Sequence, residues 1–209
     1  MTRKCGNIKD SRYWEQNLIG DNRSLSNMKI TNKQKGELGE NLVAMALMNM
    51  GWDVININTV YRNYKNADLI CMNANNGKSV MIQVKTGTTH NILTGFISEL
   101  DGTIPNLGTS VIGPWVFVYM PDDKLSNVEF YVLTREEVIE LISSSNKWYV
   151  TEWNRELKSK PIIGVEVDWL QGKSSKASTQ NAKKQHLEYK STLHQTSKDN
   201  WYKITELLD

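Results

Sequence analysis

The sequence predicts an α/β fold in which helices flank a central, mixed β-sheet, and three observations carry that reading. A helical stretch at residues 31–50 is followed by a strand at 52–57 and by two strand-like arms at 67–72 and 79–85, so this part of the chain reads helix, strand, hairpin. Two later runs, PWVFVYM at 114–120 and NVEFYVL at 127–133, extend the sheet, and the helical TREEVIELI follows them. The composition suits one globular domain with appended elements: 209 residues, 39% hydrophobic and 23% charged, leave ample length for a sizeable core.

In chain order, residues 1–30 form a basic extension without clear periodicity, in which Tyr13, Trp14, Leu18 and Ile19 offer a short docking helix and no chemistry. Residues 1–35 carry eight Lys/Arg against three Asp/Glu, and residues 172–209 seven against four, so basic ends surround an acidic centre. That distribution fits a phosphate-binding protein with a metal site, and equally a pair of solvated tails. The first residues lack the apolar run of a signal peptide and no stretch reaches the length of a membrane span, which predicts a cytoplasmic protein with no membrane partner. Two distant cysteines, Cys5 and Cys71, argue against a disulfide framework or a zinc cluster.

The helix over 31–50 opens on a capping box, Thr31 with Gln34. Val43, Leu47 and Met50 make an apolar stripe that Leu38, Leu42 and Met45 widen, and at 100° per residue Glu40 falls on its edge. An acid there wants a partner. Glu37 reads as an ordinary first-turn acid. Gly36 and Gly39 each cost the helix about 1 kcal/mol relative to alanine, which implies close approach of either a phosphate backbone or a packed sheet. Gly51 stops the helix.

Between the arms of the hairpin, Asn76-Gly77 signals a two-residue turn. That turn places Ile70 opposite Gln83 and Asp68 opposite Lys85. Asp68, Gln83 and Lys85 then project from one face, while Val80, Ile82 and Val84 fill the core on the other. On the hairpin alone, a cross-strand Asp-Lys pair is more readily a stabilising surface feature than a site.

Residues 86–113 are rich in loop signals around a short helix near 91–100, and His90 is the general-base candidate within them. Residues 121–123 read as a turn. Thr134 and Glu137 make a second capping box for the next helix. Beyond it, Trp148, Trp153 and Trp169 read as packing residues, 162–167 as a strand, 172–180 as a polar linker, and the last ten residues as a helix docked by Trp201, Ile204, Leu207 and Leu208. The expected organisation is therefore a basic extension at 1–30, a core at 31–170, and a linker with a C-terminal helical segment at 171–209.

The order Gly36-x-x-x-Glu40 on a helix, a strand, Asp68, then Gln83-x-Lys85 resembles the PD-(D/E)XK nuclease superfamily, which has the restriction-endonuclease-like fold. The helical Gly-x-x-x-Glu is similar to that of Holliday-junction resolvases, and Gln-x-Lys to that of Mrr-like endonucleases. The resemblance spans residues 31–87. Ala67 stands where the family pattern has proline, and Gln83 at its second acidic position. The resemblance implies a magnesium-dependent DNA nuclease, with manganese as a substitute. Asp68, Glu40, the Gln83 side-chain oxygen and the Val84 carbonyl would be its metal ligands, and Lys85 would orient the water or stabilise the phosphate. Cleavage of both strands would favour a homodimer. Two alternatives remain: a DNA-binding or interaction domain on the same fold that does not cut, and an unrelated α/β protein in which Asp68 and Lys85 are a structural pair.

Overall fold

The computed structural model describes residues 30–61, 64–121, 127–151, 160–176 and 188–209, and residues 32–209 belong to one compact unit. The basic extension up to residue 29, most of the 121–123 turn, Trp153 and the end of the 172–180 linker lie outside the described residues.

Five strands build the central sheet: β1 (Asp53–Asn56), β2 (Leu69–Met72), β3 (Ser79–Gly87), β5 (Trp115–Tyr119) and β6 (Glu129–Leu133), in the order β1-β2-β3-β5-β6. β4 (Asn91–Ile97) leaves that sheet and pairs with β7 (Ile162–Glu166) in a separate antiparallel ribbon. All pairs in the central sheet are antiparallel except β3 with β5, which run parallel, so the sheet is mixed as the sequence predicts. The parallel pair needs a crossover, and β4 with its loop supplies it.

Alternation along the strands feeds two cores. On one face, Leu69, Cys71, Ile82, Val84, Val116, Val118 and Val132 pack against α1 (Asn32–Asn49) through Val43, Ala44 and Leu47, and against Ile204 and Leu208. Burial pushes the Cys71 thiol up to about 11, so it is an inert core residue. On the other face, Trp115, Phe117, Tyr131 and Leu133 meet α4 (Arg135–Thr151) and β7.

Several expectations hold in detail. The second capping box forms: the Thr134 amide donates to Glu137 at 2.9 Å and the Glu137 amide donates to the Thr134 hydroxyl at 3.2 Å. Trp169 is buried, and both it and Trp148 pack on Tyr189, so these two tryptophans are structural. The Gly51 amide closes α1 by donating to Met48 at 2.9 Å.

Others are corrected. Residues 91–97 form a strand rather than a helix, because Ile92 and Thr94 alternate inward while β7 offers backbone partners that local propensity cannot foresee. Met45 and Met50 are 62% and 43% exposed, so the helical stripe is narrower than its apolar residues suggest. The C-terminal helix is a single turn, α6 (Tyr202–Thr205 once α2 Ile57–Val60, α3 Leu107–Ser110 and α5 Val167–Leu170 are counted), and its Leu207 is 52% exposed.

The hairpin register moves by two residues. Leu69 pairs with Ile82 and Ile70 with Met81, and the loop spans residues 74–77, because the Asn73 amide donates to Lys78 and the Gly77 amide to Asn73, both at 2.9 Å. Side-chain commitments explain the longer loop. Asn76 accepts from the Lys78 amide at 2.9 Å and donates to the Leu208 carbonyl at 2.8 Å, which fixes it as a turn brace docked on the C-terminus. Since strand side chains alternate with period two, a slip of two leaves Asp68, Gln83 and Lys85 on their predicted face.

Candidate functional site

The site lies where β2 begins beside β3. Leu69 with Ile82 is the last β2–β3 pair, and Asp68, just before it, lends its side chain to continue the ladder: the Val84 amide donates to Asp68 Oδ2 at 2.7 Å. Gln83 Nε2 donates to the same oxygen. Asp68 and Gln83 are only 7% and 8% exposed, so these bonds do for a buried carboxylate what water would otherwise do.

Lys85 projects two residues further along the same face. Its Nζ stands 5.2 Å from the centroid of the Trp115 ring, a cation–π contact. Burial pushes its ammonium below the usual lysine range, and the charges of Asp68 and Glu40 pull it partly back. Among the described residues, no carboxylate forms an ion pair with Lys85 within 4.0 Å.

Glu40 arrives from α1 on the opposite layer and is half-buried. It is linked to Asp68 through residues that the sequence reading did not single out. Asn58 Nδ2 donates to Glu40 Oε2 at 3.2 Å and to Asp68 Oδ1 at 3.1 Å, while Asn56 Nδ2 donates to Glu40 Oε2 at 3.2 Å. Asn56 caps α2 by accepting from the Asn58 amide at 2.9 Å, which sets both side chains at the mouth of the strand. The available signal was an Asn-x-Asn step at the end of a strand that precedes the key acid.

The structure thus joins Asp68, Gln83, Val84 and Glu40 in one hydrogen-bonded group with Lys85 beside it. Val84 turns its amide toward Asp68, a contact the sequence reading did not foresee, and its side chain is core. His90 stays outside this group, its ring packed on Tyr119 at 5.2 Å between centroids. Gly39 also resolves: a Cβ there would lie 1.9 Å from Thr86 Oγ1, so helix-on-sheet packing accounts for it, whereas Gly36 faces open space.

Burial raises the Glu40 carboxyl above the ordinary carboxylate range, and its bonds from Asn58 and Asn56 oppose the rise. A carboxyl raised in the native state binds its proton more tightly there than in the unfolded chain. Its contribution to stability is therefore present at acid pH and lost as pH rises through the raised value. Glu40→Gln, which can still accept from both asparagines, is expected to raise the thermal midpoint relative to wild type at pH 8, with the gap closing toward pH 4. Melting curves at the two pH values check this, and a gap that widens toward acid pH contradicts it.

No protein family matches the chain, and no curated protein does. Among solved structures, a bacterial homing endonuclease is similar to it with a TM-score of 0.38 and 19% identity, over 53% of this chain and 74% of that one. That likeness is too remote to bear on function. Among the described residues, no group of three or more His, Cys, Asp or Glu side chains could hold a metal ion, and no helix is long and apolar enough to cross a membrane.

Proposed function

We propose that this chain is a magnesium-dependent deoxyribonuclease of the PD-(D/E)XK type, acting as an endonuclease. The observation that supports the reading is the convergence of Asp68, Gln83 and Lys85 from adjoining strands with Glu40 from α1, linked by the hydrogen bonds of Asn58. The donor set fits a hard cation. Magnesium keeps several waters and needs only one or two carboxylates, and Glu40 and Asp68 are two, with the Gln83 side-chain oxygen and the Val84 carbonyl as neutral additions. Glutamine in place of an acid lowers the charge of the site, so Glu40 carries more of the binding.

The cation would activate water and offset charge on the phosphate oxygens. The chain's own residues do the rest. Lys85, whose charge is held in partly desolvated surroundings over Trp115, would hydrogen-bond the attacked phosphate or its water, where low dielectric strengthens the contact. Gln83 and the Val84 amide hold Asp68 in one orientation. One observation favours a second reading, a DNA-binding domain that does not cut: both carboxylates are already satisfied by amide donors.

The test is incubation of wild type and Lys85→Ala with supercoiled, linear and branched DNA in magnesium or manganese. Wild type is expected to cut only with the cation, and Lys85→Ala to lose about 10²–10³-fold in rate, the usual cost of removing one transition-state donor. Salt-sensitive DNA binding without cutting would instead establish the second reading.

A further inference from the structure

We propose that Asn58 is a member of the cation site, a donor that bridges Glu40 and Asp68 in the free protein and turns its side-chain oxygen inward when a divalent cation binds. This rests on the metal-dependent reading above. Three features support it. A single nitrogen, Asn58 Nδ2, lies 3.2 Å from Glu40 and 3.1 Å from Asp68, so it occupies the space between the two carboxylates and keeps them from repelling each other. The other end of the same amide is uncommitted, since among the described residues no donor reaches Asn58 Oδ1. Rotation about the Cβ–Cγ bond exchanges nitrogen for oxygen at almost no cost in shape.

Asn56 makes the contrast. Its Oδ1 accepts from the Asn58 backbone amide at 2.9 Å while its Nδ2 donates to Glu40, so turning it would break the cap of α2. Asn58 alone of the pair can turn. An oxygen facing two carboxylates is repelled by them unless a cation lies between, which couples the turn to binding. The result is one more neutral oxygen donor, beside those of Gln83 and Val84, from a chain that supplies only two acids here, in keeping with the preference of hard cations for carboxylate and amide oxygens.

The experiment is calorimetric titration of magnesium and manganese into wild type, Asn58→Ala, Asn58→Asp and Asp68→Ala. It is paired with NMR of the wild-type side-chain amides during a magnesium titration. Asn58→Ala is expected to bind about 10–100-fold more weakly. Asn58→Asp, which keeps an oxygen and adds charge, is expected to bind at least as tightly as wild type, and the Asn58 NH₂ resonances are expected to shift with the same saturation as the heat. If Asn58→Ala binds like wild type, or the Asn58 amide signals stay fixed while the cation binds, the inference falls and the nuclease reading stands on Asp68. Absence of any binding to wild type overturns both. The NMR arm needs no variant, so a substitution that fails to fold leaves the proposal testable.

Discussion

Asp68→Ala is expected to abolish cation binding and to reduce DNA cleavage by about 10³-fold or more. The size follows from what a single carboxylate holds here. On the proposed reading it is the acid nearest both Gln83 and Lys85, and a bound cation contributes several kcal/mol to charge stabilisation, where each 1.36 kcal/mol is tenfold in rate. The same substitution removes the acceptor of the Val84 amide, the Gln83 amide and one bond of Asn58. Orphaned buried donors cost about 1–3 kcal/mol each, so the alanine variant is also expected to melt earlier. Asp68→Asn separates the two effects. Its single oxygen, in the place of Asp68 Oδ2, can still accept from Val84 and Gln83, while the charge and the bond from Asn58 are gone, so it is expected to melt well above the alanine variant and yet bind no cation. Calorimetry and cleavage on both variants decide the matter. Cutting that survives in Asp68→Asn would show that the chemistry lies elsewhere.

How much of this was legible in the sequence depends on the range of the interactions involved. The constellation of Asp68, Gln83 and Lys85 was readable because it depends on the parity of two strands, and parity survived even though the loop was two residues longer than the Asn76-Gly77 signal implied. The second capping box was readable because all its parts lie within four residues. By contrast, the local sequence predicts a helix where β4 lies, because the partner strand, β7, is some seventy residues away and the bond from Thr94 Oγ1 to the Ile163 carbonyl at 2.8 Å has no local signature. The asparagines were missed for a related reason. Asn56 and Asn58 look like turn residues in a one-dimensional pattern, and only the arrival of α1 from the opposite layer gives them carboxylates to hold.

Gly39→Ala is expected to destabilise the protein by about 1–3 kcal/mol, whereas Gly36→Ala, three residues earlier on the same helix, is expected to stabilise it by up to about 1 kcal/mol. Both replacements gain the same helix propensity. They differ in what the new methyl meets. At Gly36 there is nothing within 4 Å, but at Gly39 the added carbon would lie 1.9 Å from Thr86 Oγ1, 3.0 Å from its Cβ and 3.1 Å from its Cγ2. Thr86 sits on β3 immediately after Lys85, so α1 must lift or the threonine must move, and overpacking of that kind outweighs the propensity gain. Thr86 Oγ1 is also a buried hydroxyl with no hydrogen-bond partner among the described residues. Thr86→Ala alone is therefore expected to cost little, since removing an orphaned polar atom offsets the lost methyl contact. In combination with Gly39→Ala it removes the two closest of these collisions other than the Cβ contact, and the pair should recover about 1 kcal/mol or more over the sum of the singles. Because Glu40 adjoins Gly39, lifting α1 also draws Glu40 away from Asn56 and Asn58, so cation affinity is expected to fall in the single variant and to return in the double. Denaturant melts of the four proteins, with Gly36→Ala as the control, check the packing. Equal stability of Gly36→Ala and Gly39→Ala would mean that α1 does not rest on Thr86, and the position of Glu40 would need another cause.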